Sequence, residues 1–280
     1  GTGKSYVIYG IAQIMLGLGL VDRVLVLCPS LTIEDGLIEK FTGLSADSQL
    51  VNAIPVNAKW KNPSIKSADV TIKEGDICVE NIHAVYETTG SSIKVSFADN
   101  GRRTLVLNDE AHHIYNKFEG RDKATKSIKK WKEFILNPDF NFKYSLGFTG
   151  TAYIEDEYFN DVIYRYSLRQ AVDDKMVKMV DYVSKDDDLI IDIKFQKIYE
   201  NHYQNTLNYR LVKPLTILVT KDIKNAKRLV TQLSEFLQKH KNLTEDEVKE
   251  KILIVTSHAD HKANIQKLKE VDDKNDPVEW

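Results

Sequence analysis

Cysteine is almost absent from this chain of 280 residues: there are two, beside six prolines and three tryptophans. Cys28 and Cys78 both fall in apolar, strand-like runs. That excludes a disulfide framework and leads us to expect a reduced, cytoplasmic protein in which both thiols act as small buried hydrophobes. Long apolar runs are missing too. None approaches the ~18 residues of a membrane span, because Gly17, Gly19 and Asp22 interrupt the longest one, so no membrane partner is expected. No secretion signal is visible, and the chain opens inside a motif, so a truncated N-terminus is expected. Zinc-type ligand spacing is absent as well. The cysteines are far apart, and His112 and His113 are adjacent rather than one helical turn apart. Neither sign of charge dominates: 39 − 41 = −2. A neutral total does not advertise a polyanionic partner, although a local basic track can coexist with it. The densest basic run, Lys123-Ala-Thr-Lys-Ser-Ile-Lys-Lys-Trp-Lys132, reads first as a solvated helix face.

What is present is a hydrophobic content of 42%, enough for a core, and a length that allows roughly two domains of ~100–200 residues. The most informative stretch is Thr104-Leu-Val-Leu-Asn-Asp-Glu-Ala-His-His113. Its four opening residues are too short a run for a helix and predict a buried strand. That strand delivers Asp109 and Glu110 at its C-terminal end, where ligands sit in a parallel α/β sheet. Alternation along a strand predicts that the two carboxylates start toward different sides. One can hold a metal while the other orients a water.

The second informative stretch is Gly1-Thr2-Gly3-Lys4-Ser5, the closing half of a P-loop, G-x-x-x-x-G-K-[ST]. The glycines let backbone N–H groups approach phosphate oxygens, Lys4 would reach the β- and γ-phosphates of ATP, and the Ser5 hydroxyl would ligate Mg²⁺. Tyr6 to Leu20 is apolar almost all round and predicts a buried helix whose N-terminus points at the phosphates.

With Asp109-Glu110-Ala111-His112 as the DEAH form of a Walker B motif, the chain resembles superfamily 2 helicases and translocases. Asn108-Asp-Glu-Ala-His-His113, Gly147-Phe-Thr-Gly-Thr-Ala152 and Tyr166-Ser-Leu-Arg-Gln-Ala-Val172 together resemble the Res subunit of type III restriction enzymes. The resemblance implies an α/β fold: a RecA-like P-loop domain with a parallel sheet flanked by helices, plus part of a second RecA-like domain. It implies ATP-dependent movement on DNA, with a modification (methyltransferase) subunit as a further partner. In that scheme Lys4 neutralises phosphate charge, Ser5 and Asp109 hold Mg²⁺, and Glu110 orients and deprotonates the attacking water. His112 with Thr149, Gly150 and Thr151 relays nucleotide state to DNA. Pro29 and Ser30 (motif Ia) and Lys221, closing motif IV at Leu218 to Lys221, would touch nucleic acid. Motifs V and VI and any nuclease domain would lie beyond Trp280. Two other readings stay open: a stand-alone superfamily 2 DNA or RNA helicase with no restriction role, and a non-catalytic folded fragment.

Other expectations follow in chain order. Arg23 to Cys28 is a strand, and Ser30 or Thr32 caps a helix over Ile33 to Phe41. Val70 to Val79 alternates around Glu74-Gly75-Asp76 and predicts a hairpin. Ile77 to Tyr86 places Asn81 and His83 near a strand end, where a structural role for the histidine is the simpler reading. A charged helix is expected over about Asp122 to Leu136, stopped before Pro138. Tyr144 to Phe148 reads as a strand, Glu155 to Asp174 as mostly helix and Leu189 to Phe195 as a strand. Tyr199 to Leu211 and Asp222 to His240 read as helices, Pro214 to Thr220 and Lys251 to Ser257 as strands, and about His261 to Val271 as a last helix. The expected division is a first motor domain over 1–183, a linker or insertion over 184–211, and a partial second RecA-like domain over 212–280.

Overall fold

A computed structural model describes residues 3–60, 63–83, 85, 91–115, 130–154, 157–179, 190–208, 214–261, 263–264 and 266–267. The chain divides into two units, Gly1–Val180 and Asp181–Trp280.

The first unit is a five-stranded parallel sheet in the order β2-β3-β1-β4-β5. The strands are β1 (Arg23–Cys28), β2 (Ser64–Lys66), β3 (Asp76–Asn81), β4 (Thr104–Asp109) and β5 (Tyr144–Phe148). The central strands read as unbroken apolar runs because both faces of the sheet are covered. On one face Val24, Val26, Ile77, Val79, Leu105 and Leu107 pack under α1 (Lys4–Gly17) and α2 (Leu31–Ser45). Residues one step along point the other way. Leu25, Leu27, Cys78 and Val106 join Ile93 and Phe97 of α4 (Ile93–Phe97), and Trp131 and Phe134 of α6 (helical at 130–135). Two short helices, α3 (Ser48–Ala53) and α5 (His112–Tyr115), lie in the connections between strands. This is the RecA-like arrangement expected. Both cysteines are buried and free, as anticipated.

α1 is less wrapped than its composition suggested. It ends at Gly17 and buries one face, through Ile8, Tyr9, Ala12, Gln13 and Leu16, while Tyr6 and Val7 are exposed. The expected hairpin at Val70–Val79 is not formed: only Asp76–Asn81 is a strand, and it runs parallel to both neighbours. Asp76 explains the difference. Its carboxylate takes the Lys73 N–H at 2.7 Å and the Lys66 ammonium at 2.8 Å, which closes a turn through Gly75 (φ 85°) and launches β3 instead of joining two antiparallel strands.

Beyond β5 the expected helix over Glu155 to Asp174 is replaced by a two-stranded antiparallel ladder, β6 (Tyr153–Ile154) with β7 (Glu157–Tyr158), and an irregular stretch. Helix begins again only at α7 (Leu168–Asp173), where Ser167 and Gln170 form a reciprocal capping box. That S-x-x-Q signal was present in the sequence and marks a start, not a midpoint. Most of the predicted helix over Asp122 to Leu136 lies outside the described residues; its last turns are α6, and the chain leaves the helix before Pro138 as expected.

The second unit contains α8 (Ile191–Asn208), α9 (Ile223–Lys241) and α10 (Glu245–Lys251). Of the stretch 189–195, expected as a strand, Ile191 to Phe195 lies in α8 instead, and Leu189 lies outside the described residues. The β-branched residues follow strand propensity, but Phe195, Ile198 and Tyr199 recur at helical spacing and pack with Phe236 and Leu237 of α9, and packing overrides propensity. α9 follows the predicted apolar stripe and is capped by Asp222, which accepts from the Asn225 N–H. Pro214–Thr220 and Lys251–Ser257 were read as strands; neither is in a ladder among the described residues. A strand exists through its ladder partners, and Leu215, Ile217 and Val219 remain exposed. The expected helix from His261 is described only at 263–264 and 266–267. No described helix is long and apolar enough to cross a membrane.

Candidate functional site

Two short segments meet at the C-terminal edge of the sheet. Gly3 caps α1 in a left-handed conformation (φ 88°) that a side chain would strain, with open space where a Cβ would stand. The helix therefore begins at Lys4, with Ser5 beside it in the first turn. Gly1 and Thr2 lie outside the described residues.

Opposite, β4 ends at Asp109, and the alternation stops there. Glu110 adopts φ 51°, uncommon for a residue with a side chain. The expectation that the two carboxylates diverge is thus corrected: the kink after Asp109 turns Glu110 back, and its Oε1 meets Lys4 Nζ at 2.6 Å. Asp109 Oδ1 accepts the Glu110 N–H at 3.0 Å. Burial pushes the Asp109 carboxyl up, the Lys4 charge opposes this, and the Glu110 charge adds to it. No ion pair to Asp109 exists among the described residues. Asp109 is a buried carboxylate at the turn that Lys4 meets, and Ser5 is the next residue of α1. A carboxylate and a hydroxyl are the hard oxygen ligands a divalent cation takes, so the residue types present fit the expected magnesium.

The same turn leads to the third motif. Gly147 on β5 lies so close to the turn that a Cβ there would come within 2.8 Å of the Ala111 Cβ, and Ala111 N–H donates to the Phe148 carbonyl at 2.9 Å. His112 Nδ1 stands 2.9 Å from Thr149 Oγ1 and 3.4 Å from Glu110 Oε2. Which end donates in the His112–Thr149 bond depends on the tautomer. Burial holds the imidazole below its ordinary range, and His113 and Lys4 push the same way against Glu110. The Thr151 N–H donates to Thr149 Oγ1 at 3.0 Å, while Gly150 spans the two threonines. Lys4, Glu110, His112, Thr149 and Thr151 thus form one contiguous chain of contacts.

Ser30 caps α2, its Oγ accepting from the Ile33 N–H at 3.4 Å, and Pro29 precedes it. Lys221 is exposed in the second unit, just ahead of α9. His83 N–H donates to Asn81 Oδ1 at 3.1 Å, a backbone role.

Sequence reasoning missed a buried acidic pair under Pro29-Ser30. Asn81 Nδ2 donates to Glu34 Oε2 at 2.6 Å and to Glu80 Oε1 at 3.1 Å, and the Ala68 N–H donates to Glu80 Oε2 at 3.0 Å. The signal was available: Glu80 ends the apolar run Ile77-Cys78-Val79 inside the strand. Burial pushes the Glu80 carboxyl up to about 7, the Ala68 N–H opposes this, and the Glu34 charge adds to it. A carboxyl raised in the folded state contributes stability that is complete below its ordinary value, 4.5, and lost as pH rises through about 7. Glu80→Gln is therefore expected to remove a fall in stability of up to about 3 kcal/mol between about pH 5 and pH 8. Thermal unfolding midpoints of native and variant protein across that range check it; parallel curves would refute the assignment.

Residues 1–154 match the family described as type III restriction enzyme, res subunit. That span contains Gly1 to Ser5, the Asp109–Glu110 turn that follows β4, and β5. No curated protein matches the chain.

Proposed function

The chain belongs to the type III restriction enzyme res subunit family, an ATPase motor of the superfamily 2 helicase type, and from that premise we propose that it hydrolyses ATP to move along DNA. The observation that carries this reading is the contact chain from Lys4 through Glu110 and His112 to Thr149. Nucleotide state is felt at Lys4, and a motor needs that state to reach the residues that grip its track. In the proposed cycle Lys4 leaves Glu110 when phosphates arrive, because a triphosphate offers the ammonium more negative charge than one carboxylate. Glu110, released on Oε1, is then free to orient a water and accept its proton. Ser5 and Asp109 would hold the divalent ion, which supplies charge neutralisation on the phosphates. His112 loses or keeps its contact with Glu110 as that carboxylate moves, and Thr149 follows His112.

In this reading Pro29, Ser30 and Lys221 contact the DNA backbone, and a modification (methyltransferase) subunit is a further partner. The double substitution Thr149→Ala, Thr151→Ala tests the relay. Most ATP hydrolysis should survive, within about threefold, while translocation on DNA is lost. Equal loss in the two assays would place the threonines in the chemistry and sink the relay.

A further inference from the structure

We propose that Asn108 and Trp131 form a positioning pair that holds the Asp109–Glu110 carboxylates in register, an inference that rests on the ATPase reading above. Asn108 precedes the carboxylates and, by strand alternation, faces away from α1 into the second half of the core. A buried strand position of this kind ordinarily carries an apolar side chain. Here an amide is 2% exposed and its indole partner on α6 is 1% exposed. Trp131 Nε1–H donates to Asn108 Oδ1 at 3.0 Å. The amide Nδ2 donates to Ser145 Oγ at 3.1 Å and to the Leu146 carbonyl at 3.2 Å. The indole can only donate and a backbone carbonyl can only accept, so the amide has one orientation. Three bonds offset the cost of burying it, and together they tie β4 to β5 and to α6.

The place of this tie matters more than its energy. Two residues later Glu110 takes its left-handed backbone (φ 51°), a conformation that persists only where the surroundings over-determine it. Phe148, which receives the Ala111 N–H, follows the two β5 residues that hold Asn108. Trp131, Ser145 and Leu146 thus hold Asn108, the next-to-last residue of β4, just before the turn that aims Glu110 at Lys4. Neither touches substrate; both act through the carboxylates.

The test compares Trp131→Phe, Asn108→Leu and the two combined in the full chain, with kcat, KM for ATP and the thermal midpoint measured for each. Each single variant should lower kcat about tenfold per folded molecule, since small misplacements of reacting groups are costly, with KM within about twofold of native. The combined variant removes the amide and the indole N–H together, so neither is left unpaired in the core, and its midpoint should recover part of the way toward native while kcat stays low. Recovery of kcat together with the midpoint, unchanged kcat in the singles, or a rise in KM alone would overturn the proposal. Should the core variants fail to fold, Ser145→Ala decides, because Ser145 is exposed and only one bond to the amide is lost. A fall in kcat of about threefold supports the pair, and native kcat overturns it. A native chain with no ATP turnover would instead refute the ATPase reading, and this inference with it.

Discussion

Glu110→Gln is expected to lower kcat for ATP hydrolysis by on the order of 10²–10⁴ while ATP still binds. The substitution keeps the size and the hydrogen-bonding reach of the side chain and tolerates the left-handed backbone no worse than glutamate does. It removes the one property a general base needs, an acceptor that can take the proton. It also removes the charge that holds Lys4 at 2.6 Å in this structure, so Lys4 becomes free to meet the phosphates earlier. Nucleotide affinity should therefore be equal to native or higher. Asp109 and Ser5 are untouched and keep their place for the divalent ion. Equilibrium binding of a fluorescent ATP analogue beside steady-state hydrolysis checks both halves. Native turnover in this variant would mean that another group activates the water.

The Lys4→Ala variant should fail for a different reason and with a different signature. Its ammonium is the one described cation in contact with the carboxylate turn, and its replacement removes charge stabilisation at the transferring phosphoryl group. The expected loss is on the order of 10²–10³ in kcat, accompanied, unlike the glutamate variant, by weakened ATP binding. Fold stability should hardly change, because both partners of the Lys4–Glu110 pair are partly solvated, with side chains 31% and 29% exposed, and such pairs contribute about 0–1 kcal/mol. A thermal midpoint within a few degrees of native, together with lost turnover, separates chemistry from folding. If Lys4→Ala bound ATP as tightly as native protein, the assignment of Gly1 to Ser5 as a phosphate loop would be wrong.

The two variants together also test the order of events proposed for the site. Lys4 and Glu110 share one contact, so their effects should not add. With Lys4 removed, Glu110 has no cation to leave, and Glu110→Gln in that background should cost less than in the native chain.

Much of the motor's outline was legible in the residues alone. β1 and β4 were readable because a strand buried on both faces needs an apolar run, and Arg23–Cys28 and Thr104–Asp109 supply one; β5, at the sheet edge, was readable from the alternation in Tyr144-Ser-Leu-Gly-Phe148. The phosphate-loop and DEAH readings came from particular residue types at fixed spacing, Gly3-Lys4-Ser5 and Asp109-Glu110-Ala111-His112. A local signal also offered Ser30, beside Thr32, as the cap of α2, since a cap is a contact over three residues.

Tertiary structure decided the rest, and the reason is range. Whether 189–195 is strand or helix depends on what it packs against, and Phe236 and Leu237 lie some forty residues away. The runs at 214–220 and 251–257 have strand composition, but a ladder needs a neighbour that composition does not name. The direction of Glu110 follows from one backbone angle after Asp109, not from the alternation that governs the strand before it. Asn108 was read as a letter in a motif; its hold on Trp131, Ser145 and Leu146 joins three elements that only the folded sheet brings within hydrogen-bonding distance.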